Sequence, residues 1–207
     1  MCNEAARRIA LDQLRADWSE IRIPLRFPEG LPNMAPLDSI RITDPTVIIR
    51  AAKDAPGEAE VITRRWSWPS PNGKPVYNFR SDGREFRNTD AGGRCLIPID
   101  GFYEFTDPSP PEGEPAPKKR PAKSKWEFRI SGLDWFCVAG LWRTDPTVGE
   151  AWTMLTTAPG PDIAPYHDRQ IVLLTPSDYA RWLDGSAPAA DLCRPVPAGR
   201  LVVRQVR

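Results

Sequence analysis

The second residue of the chain is a cysteine, in "MCNEAARRIALDQL". Once Met1 is removed, Cys2 becomes the chain terminus and carries an α-amine and a thiol on neighbouring carbons, a 1,2-aminothiol that no internal cysteine offers. Reference pKa values of about 8 for the amine and about 8.5 for the thiol leave part of each nucleophilic near neutrality. An aldehyde meeting this pair condenses with the amine to an imine. The thiol then adds to the imine carbon and closes a thiazolidine ring.

Three further stretches place polar groups inside apolar strand patterns: "VYNFRSDG", "IPIDGFYEFT" and "APYHDRQIVLL". Asn78 and Arg80 are two residues apart, so an extended segment points both to one face. An amide beside a guanidinium suits phosphate or sugar oxygens. Glu104 lies between Tyr103 and Phe105 after an apolar run, and a carboxyl so placed is either ion-paired or held with a raised pKa for proton transfer. His167, the one histidine, precedes Asp168 and Arg169 at the entrance to a strand, where it is either a hydrogen-bonded core residue or an acid–base group. Cys2, Cys95, Cys137 and Cys193 lack CxxC spacing, and with a single histidine no metal cluster and no cofactor are expected.

These residues need elements to hold them. Period-two or β-branched runs occur at "SIRI", "TVIIR", "EVITRRW", "RCLIPI", "KWEFRI", "WFCVAGLW", "AWTMLTT" and "QIVLL", mostly separated by Gly, Pro, Asp or Asn. "KWEFRISGLDWFCVAGL" reads as a hairpin across Ser131-Gly132, with Trp126, Phe128 and Ile130 on one face. Ala6, Ala10, Leu14 and Trp18 recur every four residues and predict an amphipathic helix. "TPSDYARWLDG" predicts a second, with Thr175 as N-cap, Pro176 at its first position, Asp178 completing a capping box and Gly185 as its stop. The fold class expected is α+β, mainly antiparallel, with a β-barrel-like core and a few short helices. The 207 residues are read as one domain, with a mobile Pro-rich loop at 107–124 whose six prolines and lack of large apolar side chains keep it out of any core.

With 28 Lys+Arg against 27 Asp+Glu, net charge +1, no global field draws the protein to a polyanion. Any such site is local, drawing on the basic clusters at Arg64 and Arg65, at Arg80, Arg84, Arg87 and Arg94, or at 118–125. No secretion signal and no apolar run of the ~20 residues that span a bilayer is present, so a cytoplasmic protein without a membrane partner is expected.

The ordered set of Cys2, "NMAP" at Asn33 to Pro36, "RRWSWPSP", "NFRSD", "RCLIPIDGFYEF", "AGLWR", "MLTTAP" and "HDRQIVLL" resembles the SRAP family, SOS response-associated peptidase-like proteins that act on abasic sites in single-stranded DNA. The resemblance covers most of the chain, from Cys2 to about Leu183. It implies a β-barrel-like antiparallel core and supplies the aldehyde, the ring-opened sugar of a lost base. By resemblance Cys2 is the nucleophile, Asn78 positions the terminus and the sugar, Glu104 moves protons, and His167 assists ring opening and imine formation. Arg80 and Arg169 hold phosphates, and Asn33, Pro36, Trp66 and Trp68 line the channel or stack on bases. The implied partner is single-stranded DNA containing abasic sites, met by a monomer that is nucleoid-associated when acting on DNA.

The chain departs from the family where Asn3-Glu4 replaces a common Gly-Arg, so no arginine contact carries over and Glu4 is placed to repel phosphate. It departs again at Asp82, one methylene shorter than the usual Glu. The reading this supports is an abasic-site sensor that crosslinks itself to single-stranded DNA through a thiazolidine at Cys2 after Met1 removal, and two rival readings stand beside it. One is a thiol peptidase or autopeptidase acting on Met1, with Cys2, His167 and Asn78 imitating a Cys-His-Asn arrangement. The other is a non-catalytic single-stranded nucleic-acid binder.

Overall fold

The computed structural model describes residues 2–108 and 122–207. Met1 and most of the Pro-rich stretch expected at 107–124 lie outside them. The amino-terminal half runs β1 (Glu4–Arg7), α1 (Leu11–Glu20), β2 (Leu25–Arg26), β3 (Leu37–Arg41), β4 (Pro45–Ala51), β5 (Ala59–Trp66), β6 (Trp68–Pro69), β7 (Pro75–Val76) and β8 (Asn78–Arg80). It continues with β9 (Gly92–Ile99), β10 (Gly101–Thr106), β11 (Ser124–Ile130), β12 (Phe136–Asp145), β13 (Gly149–Thr157), β14 (Gln170–Ile171), β15 (Leu173–Leu174), α2 (Pro176–Leu183), α3 (Ala189–Leu192) and β16 (Leu201–Gln205).

Two sheets organise the molecule. Strands β13, β12, β9, β4 and β5 pair in that order, and a parallel pairing of β13 with β5, Ala151 opposite Arg65 and Trp152 opposite Trp66, closes them into a five-stranded barrel. The second sheet has the order β16-β11-β10-β1-β3 and is antiparallel throughout. The fold is therefore α+β with a barrel core. The barrel strands read as unbroken apolar runs because both faces are buried. Val47, Ile49, Leu96, Cys137 and Leu155 meet Leu14 and Trp18 of α1 and Tyr179 and Trp182 of α2. On the opposite face Ile48, Ile97, Val138 and Met154 meet Cys2, Ala5, Phe102 and Phe128 of the second sheet.

Three local expectations are corrected. The first helix begins at Leu11 rather than at Ala6, because residues 4–7 are hydrogen-bonded between β10 and β3 and all four are buried; tertiary pairing overrides the four-residue spacing. No hairpin joins β11 to β12. The edges of β11 are taken by β10 and β16, and β12 pairs with β9, β13 and β15, so the turn at Ser131-Gly132 carries the chain from one sheet to the other. Trp126, Phe128 and Ile130 do share the inward face. At α2 the Thr175 hydroxyl donates to the Asp178 carboxylate at 3.1 Å instead of capping an amide, and the Asp178 N–H closes the first turn on the Thr175 carbonyl at 2.8 Å.

Candidate functional site

Cys2 enters the structure just ahead of β1, at the seam where the second sheet packs on the barrel. Its Sγ donates to the Glu4 carbonyl at 3.3 Å, and 1% of the residue is exposed. Burial pushes the thiol pKa well up, the nearby Glu104 carboxylate adds to that, and hydrogen bonding with the backbone of Glu4 and Tyr103 only partly opposes it. The resting thiol is therefore protonated. The backbone nitrogen of Cys2, which becomes the α-amine when Met1 is removed, hydrogen-bonds to the Glu104 carboxylate.

Glu104 sits on β10 directly opposite Trp126 of β11, on the inward face. Burial raises its pKa to about 7, against the charge of and hydrogen bond from the chain's terminal ammonium; the charge of Asp168 adds to the rise and the hydrogen bond from the Cys2 backbone opposes it. A carboxyl at that value takes and gives protons with equal ease at neutral pH.

The barrel supplies the facing groups. β8 pairs in parallel with β13, placing Asn78 opposite Met154, and from there Asn78 Nδ2 donates to the Cys2 carbonyl at 2.7 Å. Asn78 Oδ1 is buried and accepts no hydrogen bond among the described residues. His167 closes a turn in which its own N–H and that of Ala164 return to the carbonyls of Ile163 and Gly160. Gly160 must be glycine, since a Cβ there would meet the Val196 carbonyl oxygen at 2.1 Å. Burial lowers the His167 pKa, and the Arg169 N–H donates to Nδ1 at 3.0 Å, which leaves the proton of the neutral ring on Nε2. Nδ1 also lies 2.7 Å from the carboxylate of Asp168, whose side chain is 86% exposed, a contact that becomes attractive when the ring is doubly protonated.

Cys2, Glu104 and Asn78 are thus joined by direct contacts, with His167 on the neighbouring turn. The rest of the sequence-named set is distributed differently. Arg80 ends β8, exposed and without an ion pair among the described residues. Arg169 is only 12% exposed, and its guanidinium grips the Asp82 carboxylate at 2.5 and 3.2 Å and the Thr156 carbonyl at 2.8 Å, so its fork already holds an anion. Trp66 is fully buried, stacked on Trp152 at 5.1 Å with Nε1 donating to the Tyr77 carbonyl, which leaves no ring face for a base. Trp68 is 5% exposed and covered by the Arg143 guanidinium at 4.6 Å. Asn33 and Pro36 are exposed in the loop before β3, where Asn33 Oδ1 accepts from the Ala35 N–H at 3.0 Å. Glu4, expected to repel phosphate, points instead to Lys125 at 2.7 Å and Ser39 at 2.6 Å and is neutralised there.

Sequence reasoning missed the supports. Lys125 and Ser39 hold Glu4, Thr156 holds Arg169, and Trp126 stands opposite Glu104. Each of these pairings joins residues 13 or more positions apart, which no local spacing reveals. The four chemical residues also line neither the 300 Å³ cavity beside Leu173 and Arg200 nor the 220 Å³ one beside Lys53 and Trp142.

The profile of the SOS response associated peptidase (SRAP) family matches residues 1–207. Two curated relatives, the abasic site processing protein YoqW of Bacillus subtilis (strain 168) and of Bacillus phage SPbeta, are each 30% identical over 130 residues, covering 58% of this chain and 52% of theirs. The chain spans about half the length of the curated relatives it matches. Among solved structures, a Bordetella bronchiseptica protein superposes with a TM-score of 0.66 at 21% identity, covering 100% of both chains. A Bacteroides thetaiotaomicron protein does so with a TM-score of 0.65 at 15% identity, covering 100% of this chain and 92% of its own. Both likenesses are of fold.

Proposed function

Because the chain belongs to the SOS response associated peptidase family, we propose that it processes abasic sites in single-stranded DNA, forming a thiazolidine crosslink through Cys2 after Met1 is removed. The names of its curated relatives support the lesion, and the contacts around Cys2 support the chemistry. The observation that carries the reading is one hydrogen bond. The nitrogen that becomes the α-amine reaches a carboxyl with a pKa of about 7, and the thiol lies beside that carboxyl.

The steps follow from this placement. Glu104 takes a proton from the terminal ammonium, and the free amine adds to the aldehyde carbon of the ring-opened sugar. The protonated carboxyl then returns its proton to the carbinolamine hydroxyl, which leaves as water. The thiol sulfur adds to the imine carbon while its proton passes, through the same carboxylate, to the nitrogen. The sum is aldehyde plus aminothiol giving thiazolidine plus water. Asn78 holds the Cys2 carbonyl, and its open Oδ1 accepts from a sugar hydroxyl. Neutral His167 donates from Nε2 to the ring oxygen as the sugar opens. A buried, protonated thiol suits this order, since it attacks only after the amine has made an electrophile.

The peptidase reading finds less support. A Cys-His nucleophile needs the imidazole on the thiol to make a thiolate, whereas the hydrogen-bond acceptor of Sγ is the Glu4 carbonyl and His167 Nδ1 is engaged by the Arg169 N–H. The test is to incubate processed protein with a single strand carrying one abasic site, beside an intact strand. A heat-stable band on a denaturing gel is expected with the abasic strand alone. Equal bands, or none, would overturn the proposal.

A further inference from the structure

Glu104 and Asn78 approach each other from different sheets, and so do Glu104 and the turn that carries His167. Something must hold that seam to a fixed width. Trp126 is directly opposite Glu104 across β10 and β11, so both side chains stand on the inward face. Its indole N–H donates to Thr106 Oγ1 at 2.9 Å, which pins one edge of the ring to β10. The ring itself meets Tyr166, with centroids 4.8 Å apart and planes at 59°. Tyr166 also stands edge-on to Phe128 at 5.2 Å and 85°. It is the residue immediately before His167, and the N–H groups of both return to the Ile163 carbonyl.

We infer that Trp126 and Tyr166 are positioning residues: their ring contact sets the separation of Glu104 and His167 across the seam between the second sheet and the barrel. This rests on the assignment of those two groups to proton transfer. The physical basis is stiffness. Both rings are half-buried against the shared apolar cluster, each has two side-chain torsions, and each is fixed at a second point, Trp126 by Thr106 and Tyr166 by Phe128. A misplacement of ~1 Å at a reacting group costs up to about 10²-fold in rate, so a loosened seam slows chemistry before it affects DNA binding.

The test measures single-turnover crosslink formation at saturating abasic single strand, together with strand affinity and thermal melting, for Trp126→Ala, Tyr166→Ala and the double variant. About 10- to 100-fold slower crosslinking with unchanged affinity is expected of each single variant. The double variant should be no slower than the slower single one, because both changes break the same contact. Trp126→Phe and Tyr166→Phe should restore most of the rate, and Ile130→Ala, on the same face but away from the pair, should lower melting without slowing the chemistry. Should Trp126→Ala not fold, Tyr166→Leu keeps the bulk, removes the ring and must show the same slowing. Full-speed crosslinking by Tyr166→Leu, a rate loss explained by affinity, or independent losses that multiply in the double variant would overturn the assignment. Absence of any heat-stable product from the unmodified protein would instead overturn the proposed function itself.

Discussion

The two faces of the five-stranded sheet carry the same residue type in opposite states. On the outer face, burial pushes the carboxyl of Glu4 up, but hydrogen bonds from Lys125 and Ser39 outweigh it and hold Glu4 below the usual range. Glu127 follows the same pattern, its burial outweighed by Arg204 at 2.8 Å and Arg8 at 3.2 Å. Glu104 lies on the inner face among Phe102, Phe128 and Trp126, and there burial prevails and its pKa rises to about 7. One register step along a strand thus separates a structural carboxylate from a titrating one. What decides the state is the balance of burial against partners: at Glu4 and Glu127 cationic side chains outweigh burial, whereas at Glu104 burial prevails over the terminal ammonium and the Cys2 N–H and leaves the carboxyl poised to exchange protons.

The most drastic way to break this contrast is to remove the proposed nucleophile on the inner face. Cys2→Ala keeps the amine after Met1 is cleaved and loses the sulfur that closes the ring, so the heat-stable band should vanish while a borohydride-trapped imine remains. A stable band without borohydride would place the covalent bond elsewhere.

Glu104→Gln comes next. It removes the proposed proton shuttle without changing shape, and positioned acids and bases typically contribute 10²–10⁴-fold; crosslinking at saturating DNA should slow within that range while affinity holds. The same substitution tests the sign of the contrast. With a folded pKa of about 7 against 4.5 for the free side chain, the folded state binds the proton more tightly. Stability from this group is therefore full below about pH 4.5 and lost as pH rises to about 7, in all roughly 3 kcal/mol. Glu4 and Glu127 work the other way, their contributions fading as pH falls below the ordinary glutamate range. Glu104→Gln should accordingly flatten the neutral limb of a melting-temperature profile and leave the acid limb in place.

How far the sequence foretold this arrangement depends on the range of the interaction. Strands such as "RCLIPI" and "AWTMLTT" were legible because burial on both faces writes unbroken apolar runs into the chain. Cys2, Asn78, Glu104 and His167 were legible by type, each a reactive or hydrogen-bonding group beside apolar residues. The seam was not. Ser131-Gly132 between two alternating runs satisfies every local requirement of a hairpin, and only competition from β10 and β16 for the edges of β11 forbids it. Trp66 and Trp68 illustrate the same limit, since a tryptophan run reads alike whether its rings stack on a base or on Trp152.

A smaller effect is expected on the outer face. Lys125→Met keeps the apolar stem and strands the Glu4 carboxylate, 8% exposed, without its ammonium. Breaking a buried pair costs 3–5 kcal/mol, and partial exposure together with the remaining Ser39 hydroxyl reduces this to about 1–2 kcal/mol. The melt should fall and its acid limb weaken, with crosslinking by the folded protein unchanged. A slowed reaction would mean that the two faces are coupled and that the outer pair takes part in the chemistry.

The smallest expected effect lies on the barrel side and separates two arginines that sequence reasoning grouped together. Arg80 is exposed and makes no ion pair among the described residues, only a longer-range attraction to Asp82, so its guanidinium is open to a phosphate. Arg169 is already bound by Asp82, whose pKa is lowered first by the hydrogen bond from Arg169. For a single strand each neutralised phosphate adds about 0.7 to the slope of log affinity against log salt. Arg80→Ala should therefore flatten that slope by about one contact and weaken binding similarly on intact and abasic strands, with the crosslinking rate at saturation retained. Asp82→Asn provides the opposing measurement. Freed from its carboxylate, Arg169 becomes available to phosphate, and the slope should steepen by a similar amount. If Asp82→Asn instead leaves the slope unchanged and slows crosslinking, Arg169 acts through the N–H it donates to His167, and Arg80 alone of the pair belongs to the DNA-binding surface.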